Sequence, residues 1–99
     1  MASTRWKQRR IRRRLIGVHS ELKKARAAVA IAEEQLVSFV DEAEEARLRS
    51  LVSDNTADER NSSAATRHRE LMERALESAR RRVQGLEMAE RDLLAQIEV

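Results

Sequence analysis

Residues 11–46 read IRRRLIGVHSELKKARAAVAIAEEQLVSFVDEAEEA, and their apolar residues fall at Ile11, Leu15, Val18, Leu22, Ala25, Val29, Ala32, Leu36, Phe39, Ala43 and Ala46. The steps alternate four and three without a break. That alternation returns to one face of a helix every seven residues, which is the seam of a coiled coil. A second stretch repeats it with Ala65, Met72, Leu76, Ala79, Val83, Leu86, Leu93 and Ile97, interrupted at Arg69 and Glu90. Two seams in one short chain predict an all-α fold, an antiparallel two-helix coiled-coil hairpin. Such a hairpin could also dimerise to a four-helix bundle.

The turn is signalled by Ser53-Asp54-Asn55-Thr56. The spacing predicts a first helix over about 8–52, a turn over about 53–56 and a second helix over about 57–98. Residues 11–99 then form one hairpin, preceded by a basic arm at 1–10 that is either a helical extension or disordered. Thr56 followed by Glu59 has the spacing of a capping box. A later start at Ser62 or Ser63 competes with it and would lengthen the loop. Pairing residues whose numbers sum to 108 places Ile11 on Ile97, Leu15 on Leu93, Leu22 on Leu86, Ala25 on Val83, Ala32 on Leu76, Leu36 on Met72 and Ala43 on Ala65. Small residues face larger ones, which lets helices approach closely.

Two layers of this register are polar, with Val18 facing Glu90 and Phe39 facing Arg69. A polar layer costs stability but discourages other alignments. Gly17 and Gly85 fall on the outer face. Charges beside the seam look unhelpful: this register makes Arg26 and Arg80, and Glu33 and Glu73, like-charge neighbours. The register rests on the apolar layers.

Composition agrees with the seam. Charged residues make up 37% of the 99-residue chain, aromatics only 2%, and proline is absent. That suits a long helix better than an ordinary globular core. There is no cysteine, so disulfides and thiol catalysis are excluded. No apolar run reaches the roughly 18–20 residues that cross a bilayer. The first twenty residues hold no acid and many arginines. They lack a signal peptide's apolar core, so they read as mature protein and the expected location is cytoplasmic. Arginine outnumbers lysine 17 to 3, which suits a GC-rich bacterial genome.

Three features could carry function. The first is the arm. Residues 5–14 contain Arg5, Lys7, Arg9, Arg10, Arg12, Arg13 and Arg14, seven cations in ten residues, with Trp6 among them. The net charge is +3, so the rest of the chain sums to −4 and the basicity is local. In the 108 register the first eight residues have no opposite strand and project. Arginine forks suit phosphate oxygens, and an indole can stack on an unpaired base or wedge into a protein cleft. Nucleic acid is the expected partner, RNA in a larger assembly such as the ribosome foremost, with an acidic protein surface as the competitor.

The second feature is apolar. Val37, Val40, Leu48, Leu51, Val52 and Leu71 fall outside the seam and flank Phe39. Gathered into one patch, they would dock a protein such as RNA polymerase or a second hairpin; otherwise they broaden the core near the turn. The third is acidic: Asp54, Asp58 and Glu59 crowd the turn. A hairpin with acids at its tip resembles the N-terminal coiled coil of the bacterial Gre transcript-cleavage factors. That resemblance implies tip carboxylates delivered to a polymerase active site to help hold a metal. The segment Asp54-Asn55-Thr56-Ala57-Asp58-Glu59 departs from that family's tip motif, and acids here also serve simply as helix caps.

Catalysis is not expected. His19 and His68 lie on different helices, no metal-ligand spacing or phosphate-binding glycine loop occurs, and two helices enclose no pocket. No cofactor or small-molecule substrate is expected either.

Overall fold

The computed structural model describes residues 2–97. It is all-α: helix α1 spans Ala2–Ser53 and helix α2 spans Thr56–Gln96, packed as a helical hairpin. No proline interrupts either helix, and their Ala, Leu, Glu and Arg content favours continuous helix. α1 starts at Ala2, so the described part of the arm is a helical extension and not a separate segment. α2 ends at Gln96; Met1, Glu98 and Val99 lie outside the described residues.

The turn is tighter than the four residues its sequence suggests. Only Asp54 and Asn55 separate the helices. Asp54 ends α1 by adopting φ 51°, the left-handed cap conformation that short polar side chains tolerate. Asn55 then caps α2: its Oδ1 accepts a 2.8 Å hydrogen bond from the Ala57 N–H. Its carbonyl accepts the Glu59 N–H at 3.1 Å. The N-cap is therefore Asn55, one residue before the Thr56 that the sequence suggests. Thr56 is the first helical residue, and Ser62 and Ser63 lie well inside α2. Asparagine caps at least as well as threonine, and using it shortens the loop.

The chain divides into two compact units, one of Met1–Ala28 with Ala79–Val99, the other of Val29–Ser78. In the first, Leu22, Ala25 and Leu93 are buried, and Ile11, Leu15, Val18, Ala79, Val83, Leu86 and Ile97 are half-buried. Leu22, at 1% exposure, is the largest fully buried side chain among the described residues. In the second unit Ala43, Ala46 and Leu76 are buried. Val29, Ala32, Leu36, Phe39, Ala65, Arg69 and Met72 are half-buried there. The heptad thus runs where the apolar spacing placed it. It also continues through half-buried polar residues, Gln8 in the first unit and Ser50, Asp58 and Ser62 in the second.

Both polar layers are held by neighbours. Glu90 is half-buried, and its Oε2 lies 3.7 Å from His19 Nδ1 across the seam. Arg69 is half-buried at its seam position, with Nε 3.3 Å from Glu73 Oε1. The Nε–H is buried without an aligned hydrogen bond. Phe39 meets the His68 ring edge-on instead, at 6.2 Å and 84°.

The charges beside the seam correct the expectation of like-charge opposition. Arg82 donates to Glu21 Oε2 at 3.0 Å, and Arg26 lies 3.6 Å from Glu87. These partners are displaced by about a turn from direct opposition, because long side chains lean along the helix. The pairs are exposed, and each contributes up to about 1 kcal/mol at most.

Candidate nucleic-acid interface

The arm takes its geometry from α1. Only Gln8 and Ile11 of residues 5–14 face the seam, and both are half-buried. The other eight are exposed. At 100° per residue, Arg5, Lys7, Arg9, Arg10, Arg12, Arg13 and Arg14 therefore occupy every side of the helix except the seam face. Gln8 Nε2 donates to the Gln96 carbonyl at 3.2 Å. This ties the arm to the end of α2, so the unpaired projection is shorter than the 108 register implies.

None of the seven cations forms an ion pair with a described residue. The reason is local: the first acid of α1 is Glu21, beyond the i+4 reach of Arg14. The Arg10 guanidinium lies over the Trp6 ring at 5.5 Å from its centroid, a cation–π contact between residues four apart. Trp6 still exposes 57% of its surface. With Arg9, Arg10 and Arg13 it lines an open concavity of about 380 Å³.

Charge is segregated by unit. The first unit carries 14 Lys and Arg against 5 Asp and Glu, a net +9; the second carries 6 against 12, a net −6. The two balance to the chain's +3. Long-range attraction of a polyanion is therefore concentrated in the first unit.

The apolar set does not converge. Phe39 belongs to the seam, against His68. Val37, Val40 and Leu51 follow one flank of the α1 seam, Val52 the other, and Leu48 points away from it, as their heptad positions require. Leu71 lies on α2, again outside the seam. All six flanking residues are exposed, from 42% at Val40 to 87% at Val52, so none broadens the core. Between Val40 and Leu51 lies an ion pair in which Arg47 donates to Glu44 Oε1 at 2.8 Å. That hydrogen bond, with the attraction of the two charges, holds the Glu44 carboxyl below its ordinary value and raises Arg47.

The three turn acids have separate roles. Asp54 supplies the left-handed residue, Asp58 accepts a short hydrogen bond from Ser53 Oγ, and Glu59 stands in the first turn of α2. Among the described residues no three His, Asp or Glu side chains gather as a metal-ligand set. No helix among them is long and apolar enough to cross a membrane.

The first unit holds a second concavity, apart from the arm. Leu15, Ile16, His19, Glu90 and Leu94 line a mostly apolar groove of about 440 Å³ in the first unit. Ile16 and Leu94 are both exposed. Their numbers sum to 110, so the hairpin register itself would have placed them across the seam from each other.

No family model matches the sequence, and comparison with curated proteins and with solved structures yields no match.

Proposed function

We propose that this is a non-enzymatic helical-hairpin protein whose arm binds nucleic acid, RNA foremost. Arg5, Lys7, Arg9, Arg10, Arg12, Arg13 and Arg14 supply the phosphate contacts. The observation that carries the reading is a helical segment with cations on every side but its seam face, none of them neutralised by a described acid. Arginine retains its charge at any working pH and offers paired N–H donors to phosphate. Binding then releases counterions, and affinity falls steeply with salt.

The test is affinity of the full chain for a ribosomal RNA fragment measured against salt, repeated without residues 1–10. Seven phosphate contacts on single-stranded RNA give a log–log slope near −5, at about −0.7 per contact. Truncation should flatten that slope. Binding indifferent to salt, or unchanged by truncation, overturns the reading.

A further inference from the structure

We infer that the Trp6 face of the arm is a site for an unpaired nucleobase and its adjoining phosphates, so that the arm prefers single-stranded or looped RNA to a duplex. This rests on the function proposed above and gives it a substrate form. Trp6, Arg9, Arg10 and Arg13 fall at i, i+3, i+4 and i+7, one face of the helix, and line a single concavity.

An indole at an outward position has no part in the seam, and here it stays more than half exposed with a guanidinium already stacked over it. That stack orders the ring without covering it. A base can lie on the open aromatic surface, because every base offers a π-face. Arg9 and Arg13 line the same concavity as the ring, and their donors, which have no partner among the described residues, are available to phosphates adjoining that base. A duplex keeps its bases stacked inside and can engage only the arginines. A polyanion without bases is limited in the same way.

Trp6 is the only tryptophan, so its fluorescence reports on the site directly. The full chain is titrated with oligouridylate, with an RNA duplex of equal length and with inorganic polyphosphate. Oligouridylate should quench Trp6 emission well beyond the other two. Read by the anisotropy of end-labelled RNA, since these variants lack the fluorophore, Trp6→Leu should lower the ratio of oligouridylate to duplex affinity about tenfold, within the range known for one stacked base, and Trp6→Phe should restore part of it. Circular dichroism of each variant checks that the helices persist. A ratio unchanged by Trp6→Leu, or equal quenching by all three probes, overturns the inference and leaves arm binding standing. No binding to any probe overturns both.

Discussion

Replacing Leu22 with alanine tests the packing that carries the arm. Leu22 is 1% exposed, and the change removes three buried carbon atoms. At about 0.8 kcal/mol per buried methylene-sized group, the transfer loss alone is near 2.4 kcal/mol. The cavity adds to this according to how far neighbours can sag into it. Ala25, one turn on, is already small and buried, so it has no atoms to offer. Val18 and Leu86 are half-buried and can shift inward. A total near 3 kcal/mol follows, toward the lower end of the known range for such changes. Leu48→Ala is the control, since Leu48 is half exposed and off the seam; it should cost no more than about 0.5 kcal/mol. Urea denaturation followed by circular dichroism reads both. With a slope of about 1.5 kcal/mol per molar, Leu22→Ala should lower the midpoint by roughly 2 M. A cost under about 1 kcal/mol, or equal costs for the two leucines, would refute the heptad as the source of stability.

Three further perturbations follow from local geometry. Gly17→Ala and Gly85→Ala should each stabilise by up to about 1 kcal/mol, because an added Cβ meets nothing within 4 Å at either position; loss of stability in the same urea assay would count against continuous helix there. Asn55→Ala should cost about 1 kcal/mol as a lost cap, whereas Thr56→Ala should be nearly neutral, and the reverse order would restore Thr56 as the cap. Glu44 should titrate below an ordinary glutamate by carboxyl NMR, since its folded value is lowered by Arg47. The stability it contributes is therefore present at neutral pH and lost as pH falls through that lowered value. Arg47→Gln should return Glu44 to the usual range.

The seam was legible because one physical demand, apolar contact every three or four residues, recurs in both halves. The same demand left Gln8, Ser50, Asp58 and Ser62 unread. They hold seam positions with polar side chains, at the ends where the seam is half open. The cap was misplaced by one residue because Asn55 and Thr56 both carry capping side chains, and only backbone geometry at Asp54 decides between them. The ion pairs of Glu21 with Arg82 and Arg26 with Glu87 escaped for another reason. Register gives Cα opposition, but a glutamate and an arginine meet a turn away from it. For the candidate site, spacing revealed the cations but not the Trp6–Arg10 stack, although their separation of four permits it. The flanking apolar residues share only a place outside the seam and toward the turn, and the heptad assigns them to different sides.

The arm also carries an internal cost that separates its own stability from the binding proposed for it. Lys7–Arg10, Arg9–Arg12 and Arg10–Arg13 are like-charge pairs at i, i+3; Arg5–Arg9, Arg9–Arg13 and Arg10–Arg14 are such pairs at i, i+4. At about 0.2–0.5 kcal/mol each, the six repulsions together oppose helix by roughly 1–3 kcal/mol. The Trp6–Arg10 contact offsets about 0.5–1 kcal/mol of this. A sequence shaped by helix stability alone would place acids among these arginines. A bound polyanion relieves the repulsion from outside, and so does salt. The two relations to salt therefore have opposite signs. Added salt should strengthen the free arm helix, slowing amide hydrogen exchange over residues 5–14, while it should weaken the complex with RNA proposed above. Added RNA at low salt should slow the same amides further. Exchange in the free arm that quickens with salt would show that repulsion is not what limits this helix. The absence of acids before Glu21 would then have no energetic consequence for a ligand to relieve.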